Sequence, residues 1–326
     1  MRSVQFPRKS VGGSSKSLAR LLKVIDISHG ALLTETPVTK RDIYYHDVNL
    51  FKSQSVVDSL VDDLAATFSL ARADLNIRAS SKGLFCGAGL VLHMRGGGRV
   101  VGDDTKGTLV PVGEDIFRVE LDENIAWILV VEKDAVFQTL CTLGLAMNVS
   151  LVGPGIIITG KGYPDLATRQ LVKTLSDNLT ASIPIMALVD ADPYGIDIMS
   201  VYRYGSERMR HESDTLAAGR VQWIGVKTSE LSGIGIEKES LIPISVHDHK
   251  KALSMLRSRP HMPAEWRKEL QYMLQTRCKA EIEVISCTRT ALEDKSRLED
   301  MNSDRRIHPL VSYLIRKINE TIASSS

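Results

Sequence analysis

The amino-acid sequence predicts an α/β protein whose N-terminal part is of the α+β class. In the second half, short apolar runs alternate with stretches of helical periodicity, which is the pattern of a parallel sheet joined by crossover helices. In the first half, three helical stretches come before short β-like runs that glycine-rich turns separate. The chain has 326 residues, enough for two domains that each bury a core of their own.

The first elements along the chain are helical. Residues 1–15 are rich in Gly, Ser and Lys, and we expect them to be flexible. Apolar residues at helical spacing predict a helix over residues 16–33. Thr39 is a suitable N-cap for a second helix that carries Tyr45, and a third helix is expected over residues 55–69.

Short β-like runs follow these three helices, at residues 74–77 and 90–93. The glycine-rich stretch 94–99 is the expected turn of a hairpin. Three helices followed by a small hairpin are typical of a winged helix of the CAP-like type, a helix-turn-helix variant that commonly contacts DNA. We therefore assign residues 16–108 to a winged-helix domain.

Strands and helices alternate through residues 109–326, which we assign to a second domain. The expected strands cover residues 127–132, 156–159, 185–190 and 221–226. The expected helices between them cover residues 135–147, 165–178 and 194–204. Because crossovers between parallel strands are right-handed, this order predicts a parallel Rossmann-like sheet. C-terminal helices are expected at residues 248–257, 264–288 and 308–322.

The bulk composition is that of an ordinary globular protein. Hydrophobic residues make up 43% of the chain and charged residues 25%, and the formal net charge of +2 excludes a strongly basic field over the whole molecule. No apolar stretch approaches the roughly 20 residues that span a bilayer, and no secretion signal is visible. The four cysteines lack zinc-ligand spacing. We expect an intracellular protein with reduced thiols and no membrane contact.

Acidic residues end two of the predicted strands. Glu132 follows one apolar run, and Asp190 and Asp192 follow a later one. Because ligand-binding groups gather at the carboxyl ends of parallel strands, we expect these three carboxylates at one edge of the sheet. Residues i and i+2 of an extended backbone point the same way, so the two aspartates converge. An all-oxygen set of this kind suits Mg²⁺, which keeps positions for water and phosphate.

Two adjacent tyrosines, Tyr44 and Tyr45, lie in the predicted helix-turn-helix region. Tyrosine pairs usually serve as core aromatics, but Arg41 lies one helical turn before Tyr45 on the same face. A guanidinium favours the ionised phenol and stabilises charge on a phosphate in the transition state. Together with a metal site, this combination indicates chemistry on a phosphodiester. Helical periodicity leaves open which of the two tyrosines is the nucleophile.

Basic residues complete the candidate site. Lys161 and Arg169 flank a strand end at the acidic edge, where we expect them to contact phosphates. The stretch from Gly155 to Lys161 also resembles the start of a nucleotide-binding P-loop. Gly162 replaces the Ser or Thr that holds Mg²⁺ in such loops, and the run of isoleucines is typical of a strand. We therefore predict no ATP site in this chain.

Six ordered segments of the chain resemble the eukaryotic meiotic double-strand-break transesterases, which are related to topoisomerase VI of archaea through its DNA-cleaving component. The resemblance runs from about Phe6 to the C-terminal helices. The segments are Thr39-Lys-Arg-Asp-Ile-Tyr-Tyr45, Ser81-Lys-Gly-Leu84, Val130-Val-Glu-Lys-Asp134, Thr159-Gly-Lys-Gly-Tyr-Pro-Asp165, Leu188-Val-Asp-Ala-Asp-Pro-Tyr-Gly195 and Ser240-Leu-Ile-Pro243.

The fold that this resemblance implies is a winged-helix domain followed by a Toprim domain with a C-terminal helical extension. Glu132, Asp190 and Asp192 match the Toprim metal ligands of the family. Tyr45 matches the family's nucleophile and Arg41 its supporting arginine. The resemblance therefore selects one tyrosine and implies a bound Mg²⁺.

The resemblance also implies an activity and its partners. Family members cut both strands of double-stranded DNA and remain attached to the 5′ ends, and Lys82 matches a position associated with DNA contact. A homodimer is implied, in which the tyrosine of one protomer works with the metal of the other. The other implied partners are meiotic recombination accessory proteins and a topoisomerase VI B-like ATPase subunit. The implied location is on chromosomes in the nucleus.

Two other functions remain open at this point. The same chemistry followed by strand passage would make the chain the cleaving component of a type IIB topoisomerase. A protein that binds DNA without cutting it, and recruits recombination factors, would be a non-catalytic scaffold. Steady relaxation of supercoiled DNA would indicate the first, and tight DNA binding without a covalent product would indicate the second.

Overall fold

The computed structural model describes residues 15–78, 81–206, 213–259, 261–287 and 307–325. The predicted flexible segment, residues 1–15, falls outside these ranges except for Ser15, where the first helix begins. Within the described ranges, no helix is both long enough and apolar enough to cross a membrane.

Helices that pack around a core of their own form the N-terminal region. They are α1 Ser15–Leu33, α2 Lys40–His46, α3 Val48–Phe51 and α4 Gln54–Phe68. Their apolar faces bury Val24, Ile43, Phe51 and Val57 completely. The three helices expected in this region are confirmed, and α3 is an additional short turn between the second and third.

The short strands up to residue 121 belong to three different sheets. They are β1 Val38–Thr39, β2 Ile77–Arg78, β3 Leu84–Cys86, β4 Leu90–Met94, β5 Arg99–Val101, β6 Thr108–Leu109 and β7 Ile116–Leu121. β1 pairs with β2, and β5, β4 and β7 form an antiparallel sheet in that order. The strand expected at residues 74–77 is mostly wrong, because Arg72–Leu75 forms a 3₁₀ turn. The winged-helix interpretation of this region stays a prediction.

The main sheet is mixed. Its remaining strands are β8 Trp127–Val131, β9 Gly155–Thr159, β10 Ile185–Leu188 and β11 Val221–Gly225. The order in the described chain is β11-β10-β8-β9-β3-β6, with the first four strands parallel. β3 runs antiparallel to β9, and β6 antiparallel to β3. The expectation of a purely parallel sheet is therefore wrong at this edge, while all four strands expected in it are confirmed.

The hydrophobic cores divide earlier in the chain than the predicted domain boundary at residue 108. One core contains buried residues from Val24 to Ile77, and the other contains buried residues from Phe85 to Ile318. β3 and β6, which begin before residue 109, belong to the main sheet. The main sheet therefore uses residues that the sequence assigns to the N-terminal domain.

The helices of the second half cover the sheet and continue past it. They are α5 Asp134–Thr142, α6 Leu166–Asn178, α7 Pro193–Tyr204, α8 Ser213–Leu216, α9 Val246–Ser258, α10 Ala264–Thr276 and α11 Pro309–Ser325. Every residue of β8 and β9 is buried, as expected of parallel strands that are covered on both faces. This explains why those strands are uninterrupted apolar runs in the sequence.

The helix expected over residues 264–288 is wrong beyond Thr276. Arg277 adopts a left-handed backbone conformation with φ of 55°, which ends α10. The next residues form β13 Cys278–Lys279, which pairs with β12 Ile242–Pro243. A 3₁₀ turn then begins at Ile282. We call residues 278–285 the strap, because they run along the acidic edge of the main sheet.

Candidate active site

The carboxyl ends of two neighbouring strands place two acidic residues side by side. β8 and β10 are adjacent and parallel, with Val131 opposite Leu188, so Glu132 and Asp190 follow at the same edge. The backbone N–H of Asp190 donates a hydrogen bond of 2.8 Å to Oε2 of Glu132. The structure therefore brings together these two predicted site residues.

Burial and electrostatic repulsion act on both of these carboxyl groups. Burial raises the pKa of Glu132 to about 8, and the neighbouring charge of Asp190 adds to this effect. Burial also raises the pKa of Asp190 to about 6, although the N–H of Ile282 and the ammonium of Lys133 counteract it. The ionised forms of these two carboxyl groups are therefore disfavoured in the protein alone, and a bound cation would stabilise them.

Asp192, the third predicted acid, is the N-cap of α7. Its Oδ1 accepts hydrogen bonds from the backbone N–H groups of Tyr194 at 2.9 Å and Gly195 at 2.8 Å. Pro193 occupies the first helical position, where its missing N–H leaves no gap in the helix. The other oxygen, Oδ2, lies 3.4 Å from Nζ of Lys279. One oxygen of Asp192 therefore caps the helix, while the other lies beside the ammonium group of Lys279.

Gly195 allows α7 to begin directly against the acidic edge. A Cβ atom at this position would lie 2.4 Å from the carbonyl oxygen of Asp190 and 3.1 Å from Oε2 of Glu132. Side chains do not approach a backbone atom at 2.4 Å, so only glycine fits here without a shift of the site.

Two lysines neutralise the aspartates. Nζ of Lys133 lies 3.1 Å from Oδ2 of Asp190, and Lys279 bridges Asp192 and Asp248. The sequence patterns described above predict neither lysine as a residue of the site. The signal for the first is its position directly after a predicted metal ligand, and the second lies in a stretch whose periodicity is helical.

The strap runs beside the Asp-Ala-Asp motif that contains two of the acids. The backbone N–H of Ile282 donates to Oδ1 of Asp190 at 2.9 Å. Ala191 and Ala280 exchange two backbone hydrogen bonds, of 2.9 and 3.2 Å. With the lysine contact at the following aspartate, the strap fixes all three residues of the motif.

The chemistry of the three acids fits a hard divalent cation. Glu132, Asp190 and Asp192 offer only carboxylate oxygens, which Mg²⁺ prefers. Over the part of the chain that the structure describes, however, no three His, Cys, Asp or Glu side chains converge to hold one metal ion. The oxygens of Asp190 and Asp192 are instead taken by Lys133, Lys279 and backbone N–H groups. Cation binding therefore requires the lysines to give way.

The two tyrosines differ in exposure. The side chain of Tyr45 is 65% exposed, whereas Tyr44 is half-buried and packs against the N-terminal core. Their ring centroids lie 5.3 Å apart. A nucleophile has to reach a DNA backbone, so this difference favours Tyr45 where helical periodicity does not decide.

The helix that carries Tyr45 is fixed at its start. Oγ1 of Thr39 accepts from the N–H of Asp42 at 3.1 Å, and Oδ2 of Asp42 accepts from the N–H of Thr39 at 2.8 Å. Arg41 lies within this first turn and is exposed. No ion pair or hydrogen bond to another described residue occupies its guanidinium, so its donors are available to a phosphate.

The residues predicted to contact DNA lie in different environments. Lys82 is exposed and donates from Nζ to the carbonyl of Lys161 at 3.0 Å. Lys161 pairs in turn with Asp134 at 3.2 Å. Arg169 is only 3% exposed, and its contact with a phosphate stays a prediction. Its guanidinium lies beneath the surface because α6 packs that face into the core.

Comparison with known proteins gives two family matches. Residues 127–296 match the family described as Topoisomerase 6 A-subunit/Spo11, Toprim domain. Residues 16–77 match the family described as type IIB DNA topoisomerase. Toprim domains generally bind metal ions.

Similar curated proteins carry related names. Over 276 residues the chain is 40% identical to the meiotic recombination protein SPO11 of Mus musculus and 38% identical to that of Homo sapiens, with 84% of this chain and 68% of each relative covered. Over 270 residues it is 36% identical to the A3 subunit of DNA topoisomerase 6 from Oryza sativa subsp. indica, with 81% of this chain and 58% of the relative covered.

Proposed function

This chain belongs to the topoisomerase 6A/Spo11 family, and from that premise we propose that it initiates meiotic recombination by breaking both strands of DNA. The reaction is a tyrosine transesterification that leaves the protein joined to the 5′ ends. The observation that carries the proposal is the exposed phenol of Tyr45, beside a tyrosine that packs into the core.

Tyr45 performs the chemical step in this proposal. A bond forms between its phenol oxygen and the phosphorus, and the bond from phosphorus to the 3′ oxygen breaks. The phenol loses its proton and the departing 3′ oxygen gains one, so one ester replaces another without nucleotide hydrolysis. The guanidinium of Arg41, one turn earlier, favours the ionised phenol and stabilises charge on the phosphate.

Glu132, Asp190 and Asp192 would hold Mg²⁺ beside the scissile phosphate. The ion would supply charge neutralisation at the phosphate and at the leaving oxygen. The hydrogen bond from Asp190 to Glu132 and the N-cap bonds of Asp192 orient these carboxylates before any ion binds. These bonds fix the carboxylates one by one, and their convergence on a single ion, which the described residues do not show, would require further movement at the site.

The position of the reacting groups on different elements supports the proposal of a homodimer. Tyr45 lies on the N-terminal helices, whereas the acids end strands of the main sheet. No contact between described residues joins the tyrosine to the acids. We therefore propose that the tyrosine of one protomer meets the acids of its partner, and that two such sites make a staggered break.

The remaining parts of the proposal concern DNA and partners. The N-terminal helices and the β5-β4-β7 sheet would bind double-stranded DNA as a winged helix. Lys82 and Lys161 are accessible enough to contact phosphates, and they connect the two halves of the chain. Accessory recombination proteins and a topoisomerase VI B-like ATPase subunit would assemble with the dimer on chromosomes in the nucleus.

The proposal is tested by looking for a covalent adduct. The purified chain with its ATPase partner is incubated with 3′-labelled DNA and Mg²⁺, and denatured protein is examined for attached label. Tyr45→Phe should abolish the adduct, while Tyr44→Phe, a matched change one residue away, should retain it. An adduct formed by Tyr45→Phe, or its loss only in Tyr44→Phe, would overturn the assignment of the nucleophile.

Strand passage is the second candidate function, because one of the similar proteins is named as the A3 component of DNA topoisomerase 6. Steady ATP-dependent relaxation of supercoiled DNA with a B-type partner would favour it over break formation. Tight DNA binding without any covalent product would instead indicate that the protein is a non-catalytic scaffold.

A further inference from the structure

Lys133 contacts three carboxylates that come from two different parts of the fold. Its Nζ lies 3.1 Å from Oδ2 of Asp190, 2.8 Å from Glu283 and 3.3 Å from Glu281. Asp190 belongs to the proposed metal site, whereas both glutamates belong to the strap. One ammonium therefore connects the acidic edge with a pair of acids outside it.

The two kinds of partner differ in burial. The side chain of Asp190 is 10% exposed, while those of Glu281 and Glu283 are 53% and 45% exposed. Asp190 is costly to leave unpaired, because a buried carboxylate cannot recover its hydration. The strap glutamates are solvated whether or not the lysine remains beside them.

A divalent cation at Asp190 would repel the ammonium that occupies Oδ2 of this residue. Two like charges a few ångströms apart in a partly buried site repel each other strongly, because little solvent lies between them. Lys133 therefore has to leave Asp190, and the glutamates already within 3.3 Å keep its charge paired after it does. No large movement is required, because the new partners are contacts that already exist.

We propose that Lys133 is a positioning residue that exchanges partners when the cation binds. Without the cation it neutralises Asp190 and holds the carboxylate in place, and with the cation it pairs only with Glu281 and Glu283. The strap glutamates thereby promote cation binding without touching the ion. This inference rests on the proposed metal site. It adds that the ammonium of Lys133 competes with the metal ion for Asp190, and that Glu281 and Glu283 pair with this ammonium once the ion is bound.

The exchange predicts effects of opposite sign on cation affinity. Lys133→Met removes the competitor and should tighten the binding of Mg²⁺ by about fivefold or more, within the usual range of coupling between sites. The double change Glu281→Gln and Glu283→Gln removes the alternative partners and should weaken binding by a similar factor. Lys133→Arg retains the charge and should stay within about twofold of the unchanged protein.

The measurement is isothermal titration of the full chain with MgCl₂ and separately with MnCl₂, in the absence of DNA. Thermal melting of each variant without cation reports whether it is folded. Two control variants lie in an exposed ion pair on α1. Lys23→Met removes one positive charge and Asp26→Asn one negative charge, and both should leave the affinity for the cation unchanged. The glutamine variant keeps the proposal testable if Lys133→Met does not fold, because both glutamates are exposed to solvent.

The outcomes separate this inference from the function on which it rests. If the unchanged protein binds no cation, or binds one that Asp190→Ala still binds, the proposed metal site is overturned. The proposed exchange is then overturned with it. If binding that Asp190→Ala abolishes exists but Lys133→Met weakens it or leaves it unchanged, only the exchange is overturned. The same holds if the glutamine variant binds as tightly as the unchanged protein.

Discussion

The backbone N–H of Asp190 donates to the side chain of Glu132 across adjacent parallel strands, at 2.8 Å. This bond ties the position of one acid to the backbone of the other, so the two cannot move independently. A displacement at the start of α7 would therefore also move the side chain of Glu132. Substitutions close to this bond are therefore the most direct way to disturb the site without removing a carboxylate.

Gly195→Ala is expected to disable the site while the acids remain. The added methyl would lie 2.4 Å from the carbonyl of Asp190, and relieving this overlap has to shift α7 or the strand end. We expect adduct formation to fall at least about 10-fold and the free energy of unfolding to fall by about 1–3 kcal/mol. Adduct yield and urea denaturation measure the two effects.

Gly30→Ala is the matched control for this substitution. Gly30 lies within α1, and a Cβ atom there meets nothing within 4 Å. Alanine favours a helix over glycine by up to about 1 kcal/mol, so this variant should be as stable as the unchanged protein or more so. Equal loss of cutting in both alanine variants would argue against a steric effect at the acidic edge.

Arg41→Gln should slow cutting without unfolding the protein. The guanidinium is exposed and holds no other described residue, so its removal costs little stability. Loss of one charged donor to a developing phosphate charge lowers rates by roughly 100-fold. The rate of adduct formation at saturating Mg²⁺ tests this, and Arg41→Lys should recover part of the rate. A rate unchanged in the glutamine variant would remove Arg41 from the mechanism.

Asp165→Ala should destabilise the junction between the two halves of the chain. Its carboxylate accepts from the backbone N–H groups of Lys82 at 2.6 Å, Gly83 at 3.1 Å and Thr168 at 2.8 Å. Removing a shared acceptor leaves several donors unpaired, so we expect a loss of about 2–4 kcal/mol in urea denaturation. Asp177→Ala, which removes a surface ion pair, should cost less than about 1 kcal/mol.

The stability of the protein should depend on pH through Asp197. Burial raises the pKa of this carboxyl group, but hydrogen bonds from Lys251 and Tyr163 and the charge of Arg259 outweigh burial and leave the pKa below its ordinary value. A lowered pKa in the folded state contributes stability above the pKa of the unfolded state, about 4. This contribution disappears as the pH falls through the folded-state pKa.

Asp197→Asn provides the test of this pH dependence. At pH 7 the variant should be less stable than the unchanged protein by about 2 kcal/mol, because its three partners lose a charged acceptor. Urea denaturation at about pH 7, 5 and 3 should show the difference between the two proteins shrinking below about pH 4. A difference that stays constant down to the lowest pH would contradict the assigned ion pairs.

The sequence predicts β8, β9 and β10 well because each lies in a continuous apolar run that ends in a polar residue. Glu132 and Asp190 follow from this pattern, since the strand ends are visible without a structure. The strap does not follow from it, because a left-handed Arg277 ends α10 where the apolar periodicity continues through Ile282 and Ile285. Its role depends on pairing with residues that are distant in sequence.

Very short strands are the other feature that sequence patterns miss. β3 has three residues and pairs with the edge of β9, and β6 has two residues and pairs with β3, so each exists because a neighbouring strand offers hydrogen-bonding partners. The choice between Tyr44 and Tyr45 is similar in kind. Both occupy one helix, and only the packing of the N-terminal core separates a half-buried ring from an exposed one.

The recruitment of β3 and β6 into the main sheet affects how this protein can be divided for expression. A fragment that begins at residue 109 would keep β9 but lose β3 and half of β6. The peptide groups of an apolar strand would then lie open to other chains, which promotes aggregation. A cut before Ser81 retains the covering strands and is the better starting point for a soluble C-terminal half.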